Sequence, residues 1–143
     1  MKRNVFLFFF IIIGLGSCKE KIPPLSERIQ ATWILAEVKE GATLVYSKGA
    51  NANIRAGYAN WRLVLSGQSV VYTEFDNTRF SGQYELQNDT KLILKNLTPK
   101  PSATDGTMEF MISDATDKQM TLKSAIASLK TGNSINEYKL IKE

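Results

Sequence analysis

The sequence contains no histidine and only one cysteine. Without histidine, the chain has no His-dependent triad, no His-ligated metal and no imidazole general base. The single cysteine cannot form a disulfide within the chain, and no glycine-rich phosphate loop is present. A carboxylate pair for glycoside hydrolysis remains as an alternative, but exposed acids at hairpin ends explain Glu74, Asp76 and Glu85 better. These absences predict a protein that is not an enzyme and that binds no metal and no cofactor.

The chain also has no large excess of positive or negative charge. The formal net charge is +4, and it falls to +2 if Lys2 and Arg3 are removed with the amino-terminal segment. The remaining basic residues are spread along the chain, so the isoelectric point of about 9.2 is a weak argument for nucleic acid. We therefore expect no nucleic-acid partner.

No apolar run is long enough to span a membrane. The apolar run at the amino terminus, residues 5–13, follows the basic pair Lys2-Arg3 and precedes Gly14-Leu15-Gly16-Ser17-Cys18. Even when counted on to Leu15, this run is well short of the ~20 residues that a helix needs to cross the hydrocarbon core. The order of charge, apolar stretch and small residues is that of an export signal. We predict that residues 1–17 are a cleaved signal peptide.

The end of this segment, Leu15-Gly16-Ser17-Cys18, resembles the lipobox of bacterial lipoproteins. The resemblance implies that Cys18 is acylated and becomes the first residue of a mature chain of 126 residues, which is 143 less the 17 of the signal. It also implies several acyl chains, and two or more anchor a protein stably whereas one binds marginally. The alternative is an ordinary secretory signal that happens to end near a cysteine.

The phenylalanine-rich signal resembles those of Gram-negative lipoproteins of the Bacteroidota type. Surface-exposed members of that group often carry an acidic run after the cysteine, whereas this chain has Lys19-Glu20-Lys21. We therefore expect an outer-membrane lipoprotein that faces the periplasm, with the cell surface as the alternative. Residues 18–24 are charged and end in Pro23-Pro24, which favours an extended tether.

Residues 25–143 predict one all-β domain. Residues 25–30 suit a short helical turn, but the rest alternates with period two rather than with the repeat of amphipathic helices. The alternating segments are residues 32–38, 44–46, 61–65, 70–75, 80–86, 92–94, 108–112, 120–122 and 138–140. Tight turns, such as Ser66-Gly67-Gln68, join several of them as hairpins. We predict an antiparallel meander of eight or nine strands closed into a barrel, because closure removes the sheet edges.

Three stretches outside the clear alternation have expected roles. Residues 124–129 suit a helical turn or a strand, and we expect a strand. Residues 47–60 and 96–107 are long loops, which in a barrel usually lie at the rim and can cover the mouth. The alternative for both loops is an ordinary surface connection.

The first strand and two later segments carry a family resemblance. In the first strand, alternation places Trp33 and Leu35 on one face, opposite Ile34, Ala36 and Val38. The tripeptide Ala31-Thr32-Trp33 after a short turn, Phe80-Ser81-Gly82-Gln83-Tyr84-Glu85-Leu86 in mid-chain and a closing Tyr138-Lys139-Leu140 together resemble the lipocalin-like domains of small bacterial lipoproteins. Lipocalins carry Gly-x-Trp at this strand, with Ala31 here in place of the glycine. The resemblance implies that Trp33 plugs the closed end of the barrel.

The expected function is binding of a small apolar or amphipathic ligand in the mouth or lumen of a membrane-tethered barrel. Aromatic side chains give a large contact area, and those of Tyr and Trp also carry a polar group that can form a hydrogen bond. The expected contacts are Tyr58, Trp61, Tyr72, Phe75 and Tyr84. The alternative for these residues is that they fill a solid core. In that case the protein would be a non-enzymatic envelope interaction or inhibitor protein that contacts a protein or a glycan.

Overall fold

The computed structural model describes residues 21–143. The predicted signal peptide, Cys18 and the first residues of the tether lie outside the described residues. The predicted helical turn forms a short helix, α1, over Leu25–Arg28. Within residues 21–143, nine strands follow: β1 Thr32–Glu40, β2 Thr43–Ser47, β3 Arg62–Ser66, β4 Ser69–Thr73, β5 Arg79–Gln87, β6 Lys91–Thr98, β7 Met108–Ser113, β8 Gln119–Ser124 and β9 Asn136–Lys142. Short 3-10 helices lie at Ala56–Asn60 and Leu129–Thr131.

Eight of these strands close into an antiparallel barrel. Each strand from β3 to β8 pairs with the next one along the chain, and β9 pairs with β1, which pairs with β3. The extra strand, β2, pairs with the half of β1 that β3 does not reach, from Glu37 to Glu40. The prediction of an all-β meander of eight or nine strands closed into a barrel is confirmed. Closure leaves few unpaired edges, which is the physical advantage that the prediction used.

A β-bulge in β1 changes which side chains face the core. Trp33 and Leu35 are buried in the barrel, but the register against β9 shifts between Leu35 and Glu37. The extra residue, Ala36, reverses the alternation from that point onward. Val38 therefore joins Trp33 and Leu35 in the core and is completely buried. The prediction that Val38 lies on the opposite face was wrong for this reason.

One end of the barrel is closed by α1 and the residue that follows it. The Trp33 indole Nε1 donates a 2.8 Å hydrogen bond to the carbonyl oxygen of Ile29, and Leu25 and Ile29 are both buried in the core. The Lys142 ammonium lies 5.4 Å from the centre of the Trp33 ring. We call this the closed end. The tether, which leads directly into α1, is therefore connected to the barrel at the closed end.

The opposite end, which we call the mouth, lies where Glu40 of β1 pairs with Asn136 of β9. The loops that surround it include residues 48–61, 74–78, 99–107 and 125–135. The predicted loop 96–107 begins later than expected, because β6 continues to Thr98. Both long loops are therefore at the rim, as the sequence suggested.

Residues 124–129 do not form the expected strand. β8 ends at Ser124, and the chain then bends before the 3-10 helix at Leu129–Thr131. The Ser124 hydroxyl oxygen accepts a 2.8 Å hydrogen bond from the Asn136 backbone N–H. The Ser124 side chain thus accepts the hydrogen bond of the Asn136 backbone N–H at the position where the β8–β9 pairing ends. The local apolar pattern did not reveal this side-chain contact.

Gly82 allows β5 and β6 to approach closely. A Cβ atom at this position would lie 2.6 Å from the carbonyl oxygen of Lys95. We expect Gly82→Ala to lower the free energy of unfolding by about 1–3 kcal/mol, the usual cost of overpacking, in urea denaturation followed by circular dichroism. The exposed neighbour offers a control, because Ser81→Ala should change it by less than about 0.5 kcal/mol. Equal effects of the two substitutions would contradict this interpretation.

Candidate functional site

Four of the five predicted ligand contacts meet in one aromatic cluster below the mouth. Tyr58 packs against Phe75 with ring centroids 5.1 Å apart, and Trp61 packs against Tyr72 at 5.7 Å. Tyr138, which the sequence analysis did not select, joins these pairs, with its ring 5.6 Å from Trp61 and 6.3 Å from Tyr58. We call these five residues the aromatic cluster. Because Tyr58, Trp61 and Tyr72 are at most 3% exposed, they fill the lumen.

Tyr84, the fifth predicted contact, lies away from the mouth. It is half-buried and lines a surface groove beside α1 and the β3–β4 turn, together with Gln30 and Gln68. Its backbone N–H donates a 2.9 Å hydrogen bond to the Gln68 carbonyl oxygen. Since this groove is at the closed end, Tyr84 cannot share a ligand with the aromatic cluster.

The 3-10 helix at Ala56–Asn60 covers one side of the mouth. Arg55, just before it, donates two hydrogen bonds to Glu40, with Nε–Oε1 and Nη2–Oε2 distances of 2.7 and 3.2 Å. The Tyr58 hydroxyl donates to the same carboxylate at 2.9 Å, and the Arg55 guanidinium lies 5.0 Å from the centre of the Phe75 ring. A bidentate, charge-assisted pair of this kind fixes geometry well. It therefore fixes this helix to the end of β1.

Residues 125–135 cover the other side of the mouth, and we call this segment the lid. The Lys130 ammonium donates hydrogen bonds to the Glu74 carboxylate and, at 2.9 Å, to Asp76 Oδ2. Strand order places the β4–β5 turn and the β8–β9 connection four strands apart around the eight-stranded barrel. These segments are therefore on opposite walls, and Lys130 joins them across the mouth.

Side-chain hydrogen bonds hold the lid in shape. The buried Asn136 amide donates to the Thr131 hydroxyl at 3.0 Å and to the Tyr138 hydroxyl at 3.2 Å. The Ser134 hydroxyl donates to Asn136 Oδ1 at 2.7 Å, while Gly132 takes the left-handed conformation with φ of 71°. Buried polar groups that are fully paired in this way specify a unique local structure. The lid can consequently act as one unit.

A pocket of about 70 Å³ lies between the lid and β7. We call it the mouth pocket. Its walls are mainly apolar, with Glu74 and Lys130 as the charged pair at one side, and the principal apolar residues are Met108, Phe110, Ile126 and Leu129. The Phe110 ring lies 6.2 Å from that of Tyr138, so the aromatic cluster supports one wall. A cavity that combines apolar surface with polar and charged groups is typical of a small-molecule site.

None of the five predicted contacts lines the mouth pocket. The lid residues of the pocket were not selected from the sequence because residues 124–129 were expected to be a strand. The sequence did contain one useful signal, because Ile126 and Leu129 are apolar residues in a segment without clear alternation. In the structure these two side chains are 61% and 67% exposed.

Burial controls the ionisation of the tyrosines beneath the mouth. It raises the pKa of Tyr138 to about 12 and that of Tyr72 well above its usual value. The pKa of Tyr58 also rises, mainly through burial and then through Tyr138. At neutral pH these hydroxyls are therefore protonated, and none of the three can act as a base.

The Lys130 ion pair should make stability depend on pH in acid. The hydrogen bond from Lys130, followed by those from Thr78, lowers the pKa of Asp76 to about 2. The stabilisation is therefore complete above the ordinary aspartate pKa of about 3.9 and is lost as the pH falls through about 2. Because the Asp76 side chain is 38% exposed, we expect Asp76→Asn to cost less than about 1 kcal/mol at neutral pH.

Urea denaturation at a series of pH values measures this contribution. The stability difference between the parent protein and Asp76→Asn should shrink as the pH falls below about 4. If the free energies of unfolding of the two proteins differ by the same amount at every pH in this range, the Asp76 carboxylate does not stabilise the fold through its ion pair.

Comparisons with protein-family models, with curated proteins and with solved structures find no match for this chain. Among residues 21–143, no group of three or more acidic or cysteine side chains is placed to hold a metal ion. The helices in this part of the chain are all too short or too polar to cross a membrane.

Proposed function

We propose that this protein is a lipid-anchored, non-enzymatic outer-membrane protein that faces the periplasm and binds a small apolar or amphipathic ligand at the mouth of its barrel. The observation that carries the proposal is the mouth pocket, in which apolar side chains of β7 and the lid surround one ion pair. The ligand would contact Met108 and Phe110 on one side and Ile126 and Leu129 on the other. The aromatic cluster would support this site from below.

The size of the pocket requires a movement that enlarges it. The closed pocket measures about 70 Å³, whereas sites for drug-sized ligands usually measure about 300–1,000 Å³. The lumen offers no extra room, because the aromatic cluster fills it. Two loops line the pocket, residues 101–104 and the lid. We take the lid as the part that moves, and its exposed Ile126 and Leu129 would then close over the apolar part of the ligand.

The anchor is proposed from the lipobox-like sequence that ends at Cys18. If lipid is attached there, the tether leads from the membrane to α1 at the closed end, and the mouth is directed away from the anchoring membrane. The cell surface is the alternative location. Kinship with the lipocalin-like lipoprotein domains is part of the proposal and draws support from the closed end, where Lys142 lies over Trp33, much as lipocalins place an arginine on that tryptophan.

A second candidate is an envelope interaction or inhibitor protein with a solid barrel. The filled lumen favours it, and so do the exposed apolar residues of β2 and of the loops near the mouth: Leu44, Ile54, Ile126 and Leu129. Here these residues would contact a protein or a glycan, and the lid would stay closed.

Native mass spectrometry of the protein purified from its own cell envelope distinguishes these functions. Ligand binding predicts a co-purifying small molecule that is lost when Phe110 is replaced by Ala in a protein that still folds. The matched control is Phe80→Ala, which removes a buried phenylalanine that does not line the pocket. A mass without ligand for the parent protein, together with no binding of apolar dye, would favour the interaction protein.

A further inference from the structure

The charges at the mouth differ in how firmly they are held. Glu74 and Asp76 belong to the β4–β5 turn, where the Glu74 N–H donates to the Thr78 carbonyl oxygen at 2.9 Å and Asp76 Oδ1 accepts from the Thr78 N–H at 2.9 Å. Lys130 belongs to the lid, and its neighbour Leu129 is 67% exposed. The carboxylates therefore belong to a tight, internally hydrogen-bonded turn between two adjacent wall strands, whereas the ammonium group is carried by the lid, the segment that would move.

The balance of charge favours a cation over an anion. Two carboxylates, Glu74 and Asp76, share the single ammonium of Lys130, which leaves a net charge of −1 on these three groups. Glu109, which also lines the pocket, is paired with Lys91 at 3.0 Å. An incoming anion would meet this negative charge and would have to compete with the carboxylates for Lys130.

Burial leads to the same conclusion. The Glu74 side chain is only 10% exposed, and a buried carboxylate that loses its partner is strongly unfavourable. If an anion drew Lys130 away, Glu74 would remain buried and unpaired. If a cation took the place of Lys130, Glu74 would stay paired, and the flexible lysine side chain would extend into water.

We propose that the ligand is a cationic amphipath, with an ammonium group on an apolar stem, and that Lys130 occupies the place of that group while the lid is closed. Lys130 has the same chemistry, since four methylene groups end in an ammonium. The ligand's head would bind Glu74 and Asp76, and its stem would lie against Met108 and Phe110. This inference rests on the proposed function, because it assigns the ligand of the same pocket.

The test compares hexylammonium, hexanoate and hexanol, which have the same stem and different heads. The protein is the whole mature chain, residues 18–143, with Cys18→Ser so that it stays soluble, and affinities come from isothermal titration calorimetry. Hexylammonium should bind at least about tenfold more tightly than either other probe, a difference of about 1.4 kcal/mol. Glu74→Gln should remove this preference.

Replacement of Lys130 tests its role as an internal competitor. The apparent affinity is the intrinsic affinity reduced by the fraction of open lid, so Lys130→Met should bind hexylammonium about tenfold more tightly than the parent. Lys130→Gln serves the same purpose if the methionine variant does not fold. The control is Lys95→Met, which breaks the exposed Lys95–Glu85 pair (2.7 Å) outside the mouth and should leave the affinity unchanged.

The outcomes separate this inference from the proposed function. Equal or tighter binding of hexanoate or hexanol would overturn the cationic ligand while ligand binding at the mouth stood. Unchanged or weaker hexylammonium binding by the Lys130 variants would overturn the competitor role of Lys130. If no probe bound even to Lys130→Met, both the inference and the proposed function would be overturned.

Discussion

Replacing Trp61 by Ala should lower the free energy of unfolding by about 3–5 kcal/mol, the usual loss for a large aromatic side chain removed from a core. Trp61 is 2% exposed, stacks on Tyr138 at 5.6 Å and meets the edge of Tyr72 at 5.7 Å. Its Nε1 has no hydrogen-bond partner among the described residues, so packing is its main contribution. Because small domains are stable by about 5–15 kcal/mol, this loss is a large part of the total.

Urea denaturation followed by far-ultraviolet circular dichroism measures this effect. The control is Leu129→Ala in the lid, where the side chain is 67% exposed and the change should stay within about 0.5 kcal/mol. A loss below about 1 kcal/mol for Trp61→Ala, accompanied by weaker ligand binding, would instead restore the interpretation of Trp61 as a ligand contact in an open lumen.

Replacing Cys18 by Ser should abolish acylation completely. If the lipobox-like segment is processed as proposed, the thiol is acylated before cleavage, and Cys18 is the single cysteine of the chain. The expected result is no incorporation of labelled fatty acid, with unprocessed or mislocalised precursor in cell fractions. Metabolic labelling and membrane fractionation measure both effects.

The neighbouring residue provides the control for this substitution. Ser17→Ala keeps a small side chain directly before the cysteine, so labelling and membrane association should stay as in the parent. If Cys18→Ser retained its label and its membrane fraction, the anchor would have to be abandoned.

Much of the fold could be predicted because the relevant interactions are local. Alternation indicated strands at residues 80–86 and 92–94, and these pair as the antiparallel hairpin of β5 and β6, with Tyr84 opposite Leu94 and Leu86 opposite Leu92. The turn at Ser66-Gly67-Gln68 likewise joins β3 and β4 as expected. A meander pairs neighbours along the chain, so each hairpin needs only short-range information.

The inward face of β1 could not be predicted in full. Alternation assigns Val38 to one side, but the bulge at Ala36 moves it to the other. A bulge arises from the way β1 must bend to pair with β9 and, at its two ends, with β3 and β2. That requirement involves residues about a hundred positions apart, and no local pattern contains it.

The candidate site was predicted only in part for a related reason. Tyr58, Trp61, Tyr72 and Phe75, which were selected for their aromatic character, do lie together, but aromatic character did not distinguish a residue that lines a pocket from one that fills a core. The distinction depends on Tyr138, which comes from the last strand and fills the space between them.

The sequence by itself determined the period-two pattern, the tight turns and the absence of histidine chemistry, because each of these depends on residue type and short spacing. Only the tertiary structure decided that the aromatic rings fill the lumen and that Lys130 crosses the mouth to Glu74 and Asp76. Barrel closure places these partners, which are more than fifty residues apart, on opposite walls. The contact between them therefore depends on the path of the entire sheet rather than on any segment of it.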